Sequence, residues 1–337
     1  MTEMTVLNGV AIEELLTIPM AVEAVEQAYL EKSKGDAALW PMVFHEFDPG
    51  HADLDIKSGD LGGLGFYGLK VVSWFGANPG KGLPALYGTS LLFDLATGAP
   101  RALLNAGSIT DFRTGAAGAI GAKYLARPDA ETLLMAGTGA LAPYLIAATL
   151  YLLPQIKTVY VTNPHHPECS AAACEAITPQ VEKLLSGCGG CHAAIAAAPD
   201  LEKAVRHSDV ILTATPAREP FIKAEWVQPG THISCVGADM SGKQEVDSAL
   251  FASAKVFGDD TAQCLSVGEC EVPYKAGVFS GHICEIGGVI SGAEAGRTDA
   301  SDITIFDSTG IALQDIATAA ALLQAAQETG KGQTVTL

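Results

Sequence analysis

The sequence predicts an α/β protein in which a Rossmann-type, doubly wound parallel sheet accompanies a strand-rich α+β domain. Short apolar or alternating runs broken by Gly, Asn and Pro fill residues 40–101, and a strand, turn, helix, strand rhythm begins near residue 131. An alanine-rich helix lies near the end of the chain. We therefore expect two domains, residues 1–114 with 311–337 and residues 115–310.

The first domain is expected to begin with a helix. Thr17 is a helix-capping residue, Pro19 suits a first turn, and Gly35 ends the helical spacing of apolar residues. Strands are predicted over 66–75 and 87–95, with turn residues that indicate an antiparallel arrangement. A helix predicted over 114–125 is dense in small residues. Because each Gly in a helix costs about 1 kcal/mol, we expect that helix to have a very close packing partner.

The second domain is predicted from alternating elements. Thr132–Ala136 reads as a buried strand, and a helix over 141–153 is stopped by Pro154. The later segments comprise strands over 158–162, 210–214, 232–236 and 255–258, helices over 169–186 and 201–207, and a final helix over 310–328. Since parallel sheets of this kind bind ligands at the carboxyl ends of their strands, we expect a ligand site there.

The composition excludes a nucleic-acid partner. Twenty Lys and Arg face 38 Asp and Glu, which gives a net charge of −18 over 337 residues. Binding a polyanion requires clustered basic residues, and the sequence has no basic run, so anionic membrane surfaces are excluded on the same ground. Charged residues make up 17% of the chain, below the usual fraction of about 25%. We therefore expect a large, closely packed core.

The amino-terminal segment and one apolar stretch bear on location. Residues 1–10 contain no basic segment followed by an apolar run, so a cytoplasmic protein is expected. Residues 133–156 carry no charge and are long enough to span a bilayer of about 30 Å. They also contain two Gly and two Pro residues. We therefore predict a strand, a glycine turn and a buried helix, with no membrane partner.

A glycine turn carries the strongest local signal. It has the GxGxxA pattern, follows a predicted strand and opens a predicted helix: Gly137, Thr138, Gly139, Ala140, Leu141 and Ala142. The first Gly permits a tight turn, the second lets the backbone approach a pyrophosphate at the helix N-terminus, and the Ala lets helix and strand pack closely. We interpret it as a dinucleotide site; the alternative is a structural glycine turn without a ligand.

The end of the next strand leaves the choice between NAD and NADP open. An acid there typically binds the ribose hydroxyls of NAD, and an Arg accommodates the phosphate of NADP. Neither residue occurs, because Thr162 is followed by Asn163, Pro164, His165 and His166. Asn163 can bond a ribose hydroxyl and the two His can face a 2′-phosphate. Alternatively, both His are exposed loop residues.

Eight cysteines in a chain of this class are expected to be reduced thiols. Cys188 and Cys191, followed by His192, have the spacing of a c-type haem site, but haem attachment requires export. Cys169 and Cys174 near His165 form a partial zinc pattern. We favour a glycine-rich surface loop and predict no metal.

Several motifs in a fixed order resemble one family. They are Gly68-Leu69-Lys70-Val71-Val72-Ser73, residues 107–116, the glycine turn, residues 209–215, residues 229–232, Gly237-Ala238-Asp239, residues 307–310 and Gln314-Asp315. Together they resemble the ornithine cyclodeaminase/mu-crystallin family. The resemblance implies a homodimer whose first domain, joined by the C-terminal helix, forms the dimer interface and the substrate site. It also implies that the second domain binds NAD or NADP, and that a hydride moves between the nicotinamide and the α-carbon of an amino or imino acid.

The resemblance assigns roles that the residues suit chemically. Arg113, at the start of the helix predicted over 114–125, offers a planar fork to an α-carboxylate, with favourable partial charge from the helix N-terminus. Lys70 is expected to bind carboxylate or polarise the substrate, and Asp239 to exchange a proton with the substrate nitrogen. The expected cofactor-binding residues are Thr114, Gly137, Gly139, Ala140, Leu141, Ala142, Asn163, Thr215 and Gly237. Singly, each polar candidate also has a structural explanation, such as an ion pair or a cap.

Departures from the family pattern guide the choice of reaction. The family often has a second carboxylate-binding Arg after the first helix, but residues 41–45 contain none. Where a cyclodeaminase keeps a Glu for a distal amine, this chain has Asp55 and Lys57. Lys57 repels an ammonium and attracts a carboxylate, although Asp55 replaces the Glu if the register shifts. Three cations, Lys57, Lys70 and Arg113, hint at a dicarboxylic substrate.

We therefore predict an NAD(P)-dependent oxidoreductase that interconverts an imino or keto acid and an amino acid. The first alternative is an ornithine cyclodeaminase, which uses NAD catalytically and releases ammonia and proline. The second is a mu-crystallin-like protein that binds NADP and small ligands without turnover.

Overall fold

The computed structural model describes residues 2–337, and the chain divides into two compact units. One unit contains the chain up to Arg113 together with Ile311–Leu337, and the other is Thr114–Gly310. The first division falls inside a helix, α3, which runs over Ala106–Leu125.

The first unit is built on a sheet of eight strands. Its elements in chain order are β1 (Glu3–Leu7), α1 (Gly9–Leu15), α2 (Ile18–Lys34), β2 (Ala37–Leu39), β3 (Val43–Asp48), β4 (Ala52–Leu61), β5 (Phe66–Phe75), β6 (Leu86–Asp94), β7 (Pro100–Asn105), the start of α3, and later α10 (Ala312–Thr329) and β16 (Gln333–Thr336). The strand order is β16-β1-β7-β6-β5-β4-β2, and β3 pairs with β4. All pairs are antiparallel except β1 with β7, so the predicted antiparallel, strand-rich region is confirmed.

Local capping chemistry sets the ends of α2 as predicted, but the expectation that the chain begins with this helix is wrong, because β1 and α1 precede it. The Thr17 side chain accepts from the Met20 amide, and Gly35 ends the helix with φ 78°, in the left-handed region that favours Gly. The buried face of α2 packs against α10, where the Tyr29 hydroxyl accepts a 2.8 Å hydrogen bond from Gln314 Nε2. The C-terminal helix therefore completes the core of the first unit.

The long strand β4 is an addition to the sequence-based prediction. It pairs with β5 along its whole length, from Ala52 opposite Phe75 to Leu61 opposite Phe66. A Cβ at Gly59 would lie 2.5 Å from the Ala38 carbonyl oxygen of β2, so this strand position accepts only Gly. The sequence of β4 contains charged residues and Gly, which are uncommon in strands, so local preference does not predict a strand there. The pairing with β5 outweighs that local preference.

The second unit is a parallel sheet with flanking helices. After α3 come β8 (Thr132–Ala136), α4 (Ala142–Leu152), β9 (Thr158–Thr162), α5 (Ser170–Leu185), β10 (Ala194–Ala197), α6 (Leu201–Arg206), β11 (Val210–Thr213), β12 (His232–Cys235), β13 (Lys255–Gly258), α7 (Thr261–Val267), α8 (Glu271–Lys275), β14 (Cys284–Glu285), α9 (Ile286–Ser291) and β15 (Thr304–Asp307). The order is β10-β9-β8-β11-β12-β15-β13-β14, and every pair is parallel. The predicted Rossmann-type class is confirmed.

The uncharged stretch over 133–156 divides as predicted into β8, a glycine turn and α4. Across residues 2–337, no helix is long and apolar enough to cross a bilayer.

Helix α3 begins eight residues earlier than predicted, at Ala106 instead of residue 114. The Asn105 side chain accepts from the Gly107 amide at 3.0 Å, which satisfies an amide at the start of the helix. The expected close partner is α4: a Cβ at Gly115 would lie 2.7 Å from the Tyr144 carbonyl, and one at Gly118 would lie 2.6 Å from the Leu145 side chain. The small residues of α3 therefore allow this contact.

Candidate active site

Two cations share one carboxylate inside the first unit. Lys70 of β5 and Arg113 of α3 are 3% and 6% exposed, and both contact Asp315 of α10. Lys70 Nζ lies 3.0 Å from each Asp315 oxygen, and Arg113 Nε donates to Asp315 Oδ1 at 3.1 Å. The three groups carry a net charge of +1 in a buried position. Because an uncompensated buried charge is costly, this cluster is suited to binding a further anion.

The Arg113 guanidinium is held on one side. Nη1 donates to Gln314 Oε1 at 3.0 Å, and Gln314 is itself bonded to the Tyr29 hydroxyl. Arg113 Nη2 donates no hydrogen bond to any part of the described chain, residues 2–337. Asp315 and Gln314 fix the planar Arg113 guanidinium, and its remaining donors stay available. This geometry is preorganised to bind a carboxylate.

The environment lowers the pKa of Lys70 to about 8. Burial is the main cause, the nearby Arg113 charge adds to it, and Asp315 opposes both. For Asp315, burial raises the pKa, but Arg113 and Lys70 outweigh this effect and hold it below its ordinary value. Asp315 is therefore the ionised partner, and the pKa of Lys70 is about 8, within the range of an ordinary activity profile.

Lys57 adds a third positive charge. It lies directly opposite Lys70 in the β4–β5 pair, so both side chains occupy the same face of the sheet. Its charge contributes to lowering the pKa of Lys70 and of Asp315. The structure therefore brings together Lys57, Lys70 and Arg113, the three predicted cations, and adds Asp315, whose role sequence reasoning missed.

The predicted place of Arg113 at a helix start is wrong. Because α3 begins at Ala106, Arg113 lies in its interior, beyond the first turn where the helix dipole acts. The electrostatic setting of Arg113 comes from Lys70, Asp315 and Gln314 instead.

In the second unit, the glycine turn between β8 and α4 has the geometry that its pattern predicts. Gly137 has φ 130°, and a Cβ there would lie 2.5 Å from the Ala214 carbonyl oxygen, so only Gly fits. At Gly139, nothing lies within 4 Å of a Cβ position. The amides of Ala140 and Leu141 open the N-terminus of α4, which begins at Ala142. This open, amide-lined turn fits a pyrophosphate.

The Asn163 side chain links the end of β9 to the glycine turn through a hydrogen bond. Its Nδ2 donates to Thr138 Oγ1 at 3.0 Å, and its Oδ1 accepts from the amides of His165 at 3.1 Å and His166 at 2.9 Å. Both His residues are exposed. A hydrogen bond from Asn163 to a ribose hydroxyl stays a prediction.

A buried carboxylate joins two of the predicted cofactor residues. Glu245 accepts from the Thr215 amide at 2.7 Å, from the Thr215 hydroxyl at 2.8 Å and from the Gly237 amide at 2.9 Å. No sequence pattern pointed to Glu245, since it lies 30 residues from Thr215 in a loop without a recognised motif. Thr114 is buried in α3.

Asp239 follows β12 at the carboxyl edge of the parallel sheet. Its side chain is 52% exposed and forms an ion pair with Lys243 at 2.5 Å. Lys243 is therefore a second ionisable group at this position that the sequence reasoning did not include. The Asp239 carboxyl is accessible to a ligand.

The eight cysteines are free thiols in the structure. Among residues 2–337, no group of three or more His, Cys, Asp or Glu side chains is arranged to hold a metal ion.

Solved structures with known activities resemble the whole chain. An archaeal alanine dehydrogenase dimer with bound NAD shares 35% identity, each chain being 99% covered, with a TM-score of 0.86. The iminosuccinate reductase of Paracoccus denitrificans in complex with NAD⁺ shares 31% identity, with 99% and 100% covered and a TM-score of 0.89. The Δ1-pyrroline-2-carboxylate reductase of Thermococcus litoralis, solved with NADH and L-proline, shares 31% identity, with 98% and 100% covered and a TM-score of 0.86.

The fold, the glycine turn and these relatives define an NAD(P)-dependent oxidoreductase that interconverts imino or keto acids and amino acids. The sequence profile of the ornithine cyclodeaminase/mu-crystallin family matches residues 2–330. The chain belongs to this family, and the predicted class of enzyme is confirmed.

Proposed function

We propose that this enzyme reduces a small 2-imino acid and that Lys70 and Arg113 bind the α-carboxylate of its substrate. The observation that carries the proposal is the buried cluster in which two cations share the single carboxylate of Asp315. A substrate carboxylate would neutralise the remaining positive charge of the cluster and accept hydrogen bonds from the Arg113 donors that are not used by Asp315 and Gln314. Asp315 orients both cations, so the carboxylate meets donors that are already in place.

The carboxyl edge of the parallel sheet in the second unit carries the residues that we assign to cofactor binding and proton exchange. When bound, NAD(P)H supplies the hydride that reduces the carbon of the C=N bond. Gly139, Ala140 and Leu141 would hold the pyrophosphate through their backbone amides. Asp239 exchanges a proton with the substrate nitrogen, a role that suits its exposed carboxyl group beside Lys243.

Lys57 favours a substrate with a second carboxylate. Its position opposite Lys70 places a third cation on the same face of the sheet, where a distal ammonium group is repelled. The similar iminosuccinate reductase has a dicarboxylic substrate by its name, whereas the similar alanine dehydrogenase does not. We infer a dicarboxylic 2-imino acid, formed for example from oxaloacetate and ammonia.

The exposed apolar surface of the first unit supports a homodimer. All six residues of β3 are exposed, and β3 pairs only with β4 among the described strands. The exposed apolar side chains on β3 are Val43, Phe44 and Phe47, and those just before β3 and over residues 75–87 are Trp40, Met42, Phe75, Leu83, Leu86 and Tyr87. An apolar patch of this kind marks an interface, and the similar archaeal alanine dehydrogenase is a dimer. We place the enzyme in the cytoplasm, where its thiols stay reduced.

The test of the proposed function is substrate competition between carboxylates. Wild-type enzyme receives NADH or NADPH with ammonia and either oxaloacetate or pyruvate, and kcat/KM is measured for each. We expect the dicarboxylic substrate to be preferred, and Lys57→Met to lower kcat/KM for that substrate alone. Equal losses with both substrates would show that Lys57 does not recognise the second carboxylate.

A further inference from the structure

We propose that Glu245 is a positioning residue of this enzyme: its carboxylate holds the turn after β11 and the turn that carries Asp239 in one fixed arrangement. The inference deepens the proposed function and rests on it, because that function makes Asp239 the proton-exchanging group. Glu245 itself contacts neither substrate nor cofactor in this account.

Both carboxylate oxygens of Glu245 bridge the two turns. Oε2 accepts from the Thr213 hydroxyl at 2.6 Å and from the Gly237 amide at 2.9 Å. Oε1 accepts from the amide and the hydroxyl of Thr215, at 2.7 and 2.8 Å. Glu245 is fully buried, so water does not compete for these four hydrogen bonds.

The bridged turns lie at the edge where the cofactor binds. Strands β11 and β12 are neighbours in the parallel sheet; Thr215 lies two residues after β11 and Gly237 two residues after β12. The Ala214 carbonyl packs against Gly137 of the glycine turn. The Glu245 carboxylate therefore links the ends of β11 and β12. Because Ala214 also packs against Gly137, the end of β8 is in contact with the same turns.

The arrangement requires a carboxylate and the glycine beside it. Four donors point at the two oxygens, and an ionised carboxylate is a side chain that only accepts. A Cβ at residue 237 would lie 2.6 Å from Glu245 Oε1, so Gly237 leaves the space that Glu245 occupies. In Glu245→Gln, the amide NH₂ must face a backbone amide that can only donate, either that of Thr215 or that of Gly237, so at least one of the four hydrogen bonds is lost.

A second buried acid fixes the backbone of Glu245. The amides of Glu245 and Val246 donate to Glu269 Oε1, at 2.8 and 2.6 Å. Burial raises the pKa of both acids: for Glu245 its hydrogen bonds from Thr213, Thr215 and Gly237 oppose the rise, whereas for Glu269 the adjacent Glu245 charge adds to it and holds the pKa well above its ordinary value. Its position behind Glu245 gives the bridging side chain a rigid support.

The test compares Glu245→Gln with Asp209→Asn. Asp209 is a matched control because it also ties two strands through its carboxylate, accepting from the amides of Glu131 and Thr132 at 2.9 and 3.0 Å. It lies before β11 and beside the first residue of β8, at the opposite edge of the same sheet. Both substitutions replace one carboxylate oxygen by an NH₂ group.

We measure Tm, the Kd for NADH, kcat at saturating substrates, and the deuterium isotope effect on kcat with NADH labelled at the transferred position. We expect both variants to lower Tm. Only Glu245→Gln should weaken NADH binding, lower kcat about 100-fold and raise the isotope effect, since displaced reacting groups slow hydride transfer itself. A purely structural role would reduce the active fraction and leave the isotope effect and Kd unchanged.

If Glu245→Gln does not fold, Thr213→Val removes one bridging hydroxyl at nearly constant shape and is expected to move kcat and the isotope effect in the same direction. The proposal is overturned if the folded Glu245 or Thr213 variant matches the Asp209→Asn control in Kd and isotope effect. Failure of the proposed function is a separate result, because it appears as a wild-type enzyme that reduces no imino acid. The NADH affinities of the variants decide the role of Glu245 even then.

Discussion

At the scale of single residues, charge balance determines what the buried cluster binds. Asp315 forms ion pairs with both Lys70 and Arg113, and Lys57 adds positive charge from the neighbouring strand. If Asp315 were absent, two buried cations would repel each other, and the pKa of Lys70 would fall further. With Asp315 present, both cations are held in place by ion pairs, and the group of Lys57, Lys70, Arg113 and Asp315 keeps a net positive charge for the substrate.

The titration of Lys70 predicts an alkaline limb in the activity profile. Because its folded-state pKa, about 8, lies below the ordinary Lys value, Lys70 is a cation below pH 8 and neutral above it. Carboxylate binding needs the cation, so kcat/KM should fall as pH rises through about 8. The measurement is kcat/KM against pH, which reports the free enzyme.

Lys70→Arg provides the control, because a guanidinium keeps its charge throughout this range. We expect that variant to have a lower kcat/KM and no limb near pH 8. The same limb in both enzymes would assign the titration to another group.

The side chain of Asp239 predicts a second residue-level effect. Asp239→Asn removes the carboxyl group that exchanges the proton with the substrate nitrogen, and it breaks the ion pair with Lys243. We expect kcat to fall by about 100-fold or more, and the Kd for NADH to stay unchanged. Steady-state kinetics and NADH fluorescence check both expectations. Wild-type kcat in this variant would remove Asp239 from the mechanism.

At the scale of elements, the sequence predicts best where local chemistry sets the boundary. Helix α2 is fixed by Thr17 and Gly35, and strands β5 and β9 have the predicted ends. The start of α3 was missed although the Asn105 side chain that accepts from the Gly107 amide is local, and β4 was missed because its strand character depends on pairing with β5. Long-range contacts were beyond reach for the same reason, as 245 residues separate Lys70 from Asp315.

Replacing each glycine of the turn before α4 with Ala is expected to change a different property, stability for Gly137 and cofactor binding for Gly139. Gly137→Ala places a Cβ 2.5 Å from the Ala214 carbonyl at φ 130°, so it should destabilise the fold by about 2 kcal/mol and lower Tm. Gly139→Ala meets nothing within 4 Å, so Tm should be unchanged.

Gly139→Ala should nevertheless weaken NADH binding about tenfold, or about 1.4 kcal/mol, since its methyl group faces the space needed by the pyrophosphate. Thermal melts and NADH titrations separate the two effects. Unchanged NADH affinity in Gly139→Ala would place the pyrophosphate elsewhere.

At the scale of the whole molecule, the apolar surface around β3 predicts self-association. Phe44 and Phe47 are 47% and 56% exposed, and Phe47 stacks on Phe75 with ring centroids 5.9 Å apart. Replacing both Phe44 and Phe47 with Glu should convert a dimer into a monomer, because buried unpaired charges oppose the interface. Light scattering after size-exclusion chromatography measures the mass. A double variant that remains dimeric would locate the interface on another surface.

The fold class of the whole molecule could be predicted from the alternation of strands and helices in its sequence. The substrate could not be predicted from that alternation. Periodicity and turn residues report which faces are buried, and these are local properties. In the proposed function, substrate choice depends on a few charged residues from four elements: Lys57, Lys70, Arg113 and Asp315. The cations were predicted, and the carboxylate that orients them became visible only in three dimensions.

The most direct test of the account follows the absorbance of reduced nicotinamide and the ammonia concentration in parallel reactions. One reaction contains NADH or NADPH with ammonia and oxaloacetate or pyruvate, and the other contains NAD⁺ with L-ornithine. We predict stoichiometric loss of the reduced cofactor in the first and no ammonia release in the second. Ammonia released from ornithine without net change in NADH would contradict the account, because it would make the enzyme a cyclodeaminase.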